Sequence, residues 1–314
     1  MLQIITIVVP VFGLILLGWA LVKAGYVSEL AGKGLAEFAF KVAMPALLFR
    51  AVLGIGEWPS SPLNLVLAYF SAAVVIWILA TLLTLFVLKR PAADAASLSM
   101  GSTFSNSVML GIPLALSAFG PEAAAPAALL VSLDSPLLWI AATLHIASAQ
   151  AESRGSPIAA IRGILLDLLK NPIVMALVLG SVGRIAGLEL PTLVDKTVAL
   201  IASSAVPAAL FALGMSLATY KMAGQGPTLT VICVLKLVAF PALTFVMCVY
   251  VFDVRPLWTA IATLFAAMPV GANAYLFAAR YDKAVGSVST AIAVTTAIAV
   301  FSVSALLYWL QSVV

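Results

Sequence analysis

Residues 62 to 88 read PLNLVLAYFSAAVVIWILATLLTLFVL, a run without one charged side chain. A helix rises about 1.5 Å per residue, so about 20 apolar residues cross the ~30 Å hydrocarbon core of a bilayer. No water satisfies backbone N–H and C=O groups in that core, so a spanning segment is either a helix or part of a closed barrel. This constraint governs the whole chain, because similar runs recur from end to end. Hydrophobic residues make up 64% of the sequence and charged residues 9%, against roughly 25% charged in a soluble domain. The runs are too long for barrel strands and lack their strict alternation. The expected fold class is an all-α polytopic membrane protein.

Ten spans are expected: 2–22, 33–53, 62–88, 95–119, 123–149, 171–187, 194–219, 227–251, 257–280 and 284–312. Turn and charge signals such as KRPAAD, FGPEAAAP, GLELP and DVRP separate them. Residues 2–22 are read as a retained helix, since no basic segment precedes the run and no small-residue cleavage site follows it. Basic residues set the orientation. With the N-terminus outside, inner loops and helix ends carry Lys23, Lys33, Lys89, Arg90, Arg154, Arg162, Lys170, Lys221, Arg280 and Lys283. Outer ones carry Arg184, Lys196 and Arg255. Both termini are therefore expected outside a cell inner (plasma) membrane.

The two halves of the chain resemble each other. VKAGYVSELAGKGLAEFAFKVAMPALLF at 22–49 aligns with RIAGLELPTLVDKTVALIASSAVPAALF at 184–211, and KRP ending at Pro91 aligns with VRP ending at Pro256. The offset stays near 162–165 throughout. Five helices per half is an odd number, so the second half is inverted in the membrane, the plan of many secondary transporters. The expected organisation is a first five-helix repeat over 1–150, a short cytoplasmic connection over 151–170 and a second repeat over 171–314.

The offset also pairs two helix breakers. TFSNSVMLGIP, at 103–113, interrupts the fourth span with Ser105, Asn106 and Ser107 and then Gly111 and Pro113. AAMPVGANAY interrupts the ninth with Pro269, Val270, Gly271 and Asn273. Interruptions at corresponding positions of the two halves point to a binding site near the midplane, because irregular backbone survives there only in a cavity or within protein. A half-helix that starts at such a break presents free N–H groups and about half a positive charge. Ser105, Asn106, Ser107 and Asn273 add donors with no fixed negative charge, which favours an anion and most simply a carboxylate.

VVPVFGLILLGW, AMPALLF, SNSVMLGIPL, LKLVAFPAL and AAMPVGANAYLFA resemble, across the whole chain, the auxin efflux carrier family. That family includes bacterial malonate or auxin-type permeases and the plant auxin carriers. The resemblance implies the fold of bile-acid symporters and sodium/proton antiporters, with helices four and nine broken and crossing at the substrate. It implies a scaffold bundle (helices 1, 2, 6 and 7), a transport bundle (3–5 and 8–10) that moves like an elevator, and a homodimer. By position, Asn106 matches the asparagine of the plant LPNTLVMGIP motif, which contacts the substrate carboxylate, and Pro269 matches the proline of the second crossing. Ser105 stands where the plant motif has proline, and the large central loop of the plant proteins is missing.

Ionisable groups inside the membrane are functional candidates. Asp134 and Lys236 both fall near the midplane. Asp134 either binds a coupling proton or neutralises a lysine; Lys236 either pairs with Asp134 or a carbonyl, or acts in transport. Lys41, Arg50 and His145 lie nearer the interfaces. Ser287, Ser289, Thr290, Thr295 and Thr296 are read as helix-packing residues, and Tyr275 and Phe277 as packing or as a stacking surface for an aromatic substrate. Neither break holds a carboxylate, so proton coupling or potential-driven transport ranks above sodium. Cys233 and Cys248 lie roughly 22 Å apart on one helix, too far for a disulfide.

The single histidine and scattered carboxylates offer no metal cluster and no constellation for an enzyme, and no cofactor is expected. A net charge of +4 reflects inner loops, not a nucleic-acid partner. The expected partners are a small organic anion, membrane lipid, and a coupling proton or sodium. A sodium-coupled symporter and an anion channel are the alternatives to a carrier.

Overall fold

The computed structural model describes residues 2–54, 61–149, 172–219 and 226–311. The 151–170 connection, with Arg154, Arg162 and Lys170, lies outside them, as does Lys221. All named elements are helical, and each expected apolar run carries helical backbone in its described part. Five helices among the described residues are long and apolar enough to cross a membrane: Pro62–Val87, Pro121–Ala149, Thr192–Leu217, Gly226–Val251 and Val285–Leu310.

Two compact units divide the chain. The first comprises Met1–Ser60, Ser107–Ser132 and Leu169–Thr219. It contains α1 (Leu2–Lys23), α2 (Glu29–Phe38), α3 (Met44–Leu53), α6 (Ile112–Phe119), the start of α7 (Ala124–Ala149), α8 (Pro172–Ile185), α9 (Thr192–Ser203) and α10 (Ala205–Leu217). Its helices meet at glycines. A methyl on Gly214 of α10 would fall well inside the Ile15 carbonyl of α1, and one on Gly18 of α1 inside that of Phe211 on α10. A methyl on Gly180 of α8 would lie 3.0 Å from the Phe49 carbonyl of α3. Without a hydrophobic force between helices in lipid, such close backbone approach holds them together. Arg50 on α3 grips Asp195 on α9 through Nε at 2.9 Å and a second nitrogen at 3.2 Å.

The second unit comprises Ser61–Asn106, Leu133–Leu168 and Tyr220–Val314. It contains α4 (Pro62–Leu82), α5 (Ala92–Thr103), the rest of α7, α11 (Gly226–Val234), α12 (Phe240–Val246), α13 (Pro256–Ala266), α14 (Ala272–Tyr281) and α15 (Val285–Leu310). Its centre is α5 and α13, whose residues 95–103 and 258–266 are all buried. Small side chains (Ala, Ser, Gly, Thr) make up most of α5 and let neighbours approach on every side. Its first turn is fixed by Arg90, which bonds Asp94 through Nε at 3.0 Å and reaches Thr228 of α11 and Ser287 of α15 at 3.3 and 3.2 Å.

Within each unit, segments from the two halves share backbone geometry. In the first, Gly25 (φ 71°) and Gly187 (φ 65°) both adopt the left-handed conformation just past a helix end, 162 residues apart. Both turns close alike, Tyr26 N–H to Leu21 and Leu188 N–H to Gly183. In the second, π-helical turns Leu83–Val87 and Met247–Val251 each lead to a left-handed non-glycine residue, Lys89 (φ 51°) and Asp253 (φ 46°), 164 residues apart. Arg90 N–H then bonds Thr84 and Val254 N–H bonds Cys248.

Candidate functional site

Helical backbone stops at Thr103 and resumes at Ser107; in α13 it stops at Ala266 and resumes at Ala272. The two irregular stretches meet within the second unit. Ser105 and Val270 form an antiparallel bridge, with Asn106 N–H donating to Pro269 O at 2.8 Å and Gly271 N–H to Phe104 O at 3.0 Å. Thr295 of α15 accepts from Val270 N–H at 3.1 Å. The freed backbone groups therefore satisfy each other, as buried backbone must. This corrects one expectation: the amides of Asn106, Val270 and Gly271 are engaged and do not face a ligand. Thr295, read from sequence as a packing residue, has a specific role here.

Gly271 makes the meeting possible. Its φ of −84° and ψ of 154° suit any residue. A methyl there, however, would lie 2.6 and 2.7 Å from the Phe104 ring and 2.7 Å from the Ser105 carbonyl. Glycine is required so that two backbones can touch.

Lys236 lies beside the bridge. A π-helical turn, Leu235–Ala239, carries it just before Pro241, which has no N–H to continue the hydrogen-bond ladder. Its side chain is 0% exposed. The ammonium donates to Ser105 Oγ at 2.6 Å and to the carbonyl of Ala266, the last residue of α13, at 2.8 Å. It also sits 4.6 Å from the centre of the Phe240 ring. A helix C-terminus and a ring face both favour a cation. Tyr69 of α4, also buried, brings its hydroxyl to 3.5 Å from Ser105 Oγ.

Asp134 on α7 is 3% exposed. No ion pair joins it to Lys236 among the described residues. Its Oδ1 has no hydrogen-bond partner there. Of the two partners expected for Lys236, the structure shows the carbonyl, with Ser105 added. Asn273, at the start of α14, donates to Ser135 at 3.1 Å.

Asn106 is 8% exposed, and its carboxamide has no hydrogen-bond partner among the described residues. Ser107, which opens the next turn, is buried with its Oγ likewise unpartnered. Pro269 and Val270 are buried in the bridge. Gly111 and Pro113 are buried in the first unit, around the start of α6, and take no part in the bridge. Phe277 packs edge-on against Trp139. His145 Nδ1 accepts from Trp77 at 3.1 Å, and Lys41 pairs with Glu37 one turn away. Tyr69 was not singled out by sequence: one tyrosine in an apolar run carries no signal until its partner 36 residues away is known.

Two comparisons with known proteins bear on this geometry. The profile of a family described as "Membrane transport protein" matches residues 3–307. A Rhizobium meliloti (strain 1021) protein named "Putative malonate transporter" is 27% identical over 313 residues, covering 99% of this chain and 97% of that protein.

Proposed function

Because the chain belongs to the membrane transport protein family, the auxin efflux carrier family, we propose that it is a secondary carrier of small organic anions, with the substrate bound where residues 104–106 meet 267–271. One observation carries the placement: the Asn106 carboxamide is nearly buried at the bridge and unpartnered among the described residues. Asn106 keeps 8% exposure and is absent from the buried unpartnered atoms, so a ligand can reach a donor that no described residue satisfies. A carboxylate satisfies it, and Lys236 supplies nearby positive charge. The full-length similarity to a protein named for malonate supports a small dicarboxylate.

The matched turns at Gly25 and Gly187 and at Lys89 and Asp253 support two inverted five-helix repeats, 1–150 and 171–314, joined by a cytoplasmic 151–170. Helices four and nine are the broken pair. The second unit carries the substrate across in an elevator motion, and the first is the scaffold through which two copies associate. The basic-residue count supports an inner membrane with both termini outside.

Counterflow of labelled malonate into proteoliposomes, with malate, lactate and indole-3-acetate as competitors, tests the carrier reading. Saturable exchange is expected, and a channel would not accelerate uptake by trans substrate. Asn106→Ala should lower exchange by about 10- to 100-fold, the worth of a hydrogen bond to a charged group. Unchanged exchange would move the site elsewhere.

Coupling is to protons or to the membrane potential alone. Asp134, buried with Oδ1 unpartnered, is the coupling candidate. In Asp134→Asn proteoliposomes, a pH gradient should no longer accelerate malonate uptake while exchange at equal pH persists. Full pH-driven uptake in that variant would exclude Asp134 as the proton carrier.

A further inference from the structure

His145 is the one histidine in the chain, and histidine is the side chain whose ordinary titration falls between about pH 5 and 8. It lies one turn before the end of α7 and is only half-buried. Its Nδ1 accepts from Trp77 Nε1 of α4 at 3.1 Å. An indole nitrogen only donates, so this bond requires a neutral imidazole with its proton on Nε2. An imidazolium carries N–H on both nitrogens and cannot accept. Protonation therefore removes the bond outright and sets two N–H groups against each other.

Trp77 reaches the bridge through its backbone. Its carbonyl accepts from Thr81 Oγ1 at 2.9 Å and from Ser99 Oγ of α5 at 3.2 Å. Ser99 is wholly buried, and its own carbonyl accepts from Thr103 Oγ1 at 2.8 Å. Thr103 ends α5, and Phe104 and Ser105 of the bridge follow it directly. On the other side, Ser135 of α7 accepts from Asn273, two residues past Gly271. His145 thus closes a set of bonds that joins α7, α4 and α5 to the bridge, all within the second unit. Few other charges bear on it. α4 has no titratable residue but Tyr69, and the rest of α7 none but Asp134, about three turns away. Asp94 of α5 is paired with Arg90. α14, whose Phe277 meets Trp139 of α7, ends at Arg280 and Tyr281, with Asp282 and Lys283 beyond. Among the described residues none of these bonds to the imidazole.

We propose that the Trp77–His145 bond is an acid-sensitive latch on the carrier: while the imidazole is neutral it holds α4 and the last turn of α5 in the substrate-receptive arrangement, and a proton on His145 releases them and slows exchange. This rests on the reading of the bridge as the substrate site and adds a regulation of that site, separate from any proton that travels with the substrate. His145 acts through Trp77 and Ser99, so it is a positioning residue.

The test uses the full chain, without a polyhistidine tag, in two measurements. The first is solid-state NMR of histidine-labelled (15N) protein in lipid vesicles, where one histidine gives one pair of ring signals. At pH 8 Nδ1 should be bare and Nε2 protonated; at pH 5 both should carry a proton. The second is malonate counterflow at equal pH on the two sides, from pH 8 to pH 5. In His145→Asn the Oδ1 accepts from Trp77 near the place of Nδ1 and never titrates. This variant should match wild type at pH 8, and wild type should fall about 5- to 10-fold below it at pH 5, the worth of one hydrogen bond. Using that variant as the reference cancels the titration of malonate and of Asp134. Trp77→Phe, which lacks the donor, should stay 5- to 10-fold below His145→Asn at every pH.

An imidazole with its proton on Nδ1 at pH 8, or one still neutral at pH 5, overturns the proposal even if no variant folds. So does a His145→Asn profile that falls with acid as steeply as that of wild type. The NMR arm needs no substrate. If it follows the expectation while no anion is exchanged at any pH, the carrier reading has failed and the acid-broken bond has not.

Discussion

Gly271→Ala should cut malonate exchange about 100-fold. The added methyl would sit 2.6 Å from the Phe104 ring and 2.7 Å from the Ser105 carbonyl oxygen. The ring can swing aside, but the carbonyl is backbone and belongs to the bridge itself. The chain therefore has to spread where Asn106 N–H meets Pro269 O and Gly271 N–H meets Phe104 O. Overpacking of this kind costs about 1–3 kcal/mol. The functional cost is larger, since a displacement near 1 Å at a positioned site is worth about 100-fold. Malonate exchange should fall by that factor and the melting temperature by several degrees. Gly34→Ala is the matched control, because a methyl there meets nothing within 4 Å. Wild-type exchange by Gly271→Ala would show that the two backbones need not touch.

Gly214→Ala should lower the stability of the fold rather than act on the site. The new methyl would overlap the Ile15 carbonyl oxygen, with the carbonyl carbon at 2.7 Å and the Ile15 Cα at 3.0 Å. All three atoms are backbone, so no rotamer change relieves the clash, and α1 and α10 must separate. Helix association in lipid depends on this close approach, and the loss should reach about 3 kcal/mol. Monodisperse yield in detergent and melting temperature report it. Gly13→Ala, in α1 with nothing within 4 Å, should behave like wild type or melt slightly higher, since alanine favours a helix over glycine. Equal yields for Gly214→Ala and Gly13→Ala would contradict the packing described.

What sequence revealed was local. Apolar runs located the helical segments, and Ser-Asn and Pro-Val-Gly marked where helical backbone stops, because the absence of an N–H or a Cβ acts at its own position. What sequence hid was pairing at a distance. Nothing in SNSVMLGIP states that its amides bond Pro269 and accept no ligand, so the expectation of free N–H groups failed at Asn106 and Gly271. Lys236 was visible as a charge in an apolar helix, but its hold on Ser105, 131 residues away, depends on how α5, α12 and α13 pack. Most of the buried side-chain hydrogen bonds among the described residues involve Ser or Thr hydroxyls that look interchangeable until one, Thr295, proves to hold the Val270 amide. The π-helical turns left no trace in hydropathy, since one extra residue in a turn does not change an apolar run.

Lys89 and Asp253 occupy the same left-handed position in equivalent turns, with φ of 51° and 46°. That conformation is demanding for any residue with a Cβ, and the backbone keeps it in both halves although the side chains carry opposite charge. On the proposed inverted plan the two turns would face opposite sides of the bilayer, with the lysine on the inner side. On that plan the turn would serve two purposes through separable parts: its backbone shapes the entry to a central helix, and its side chain would bias which way that half faces.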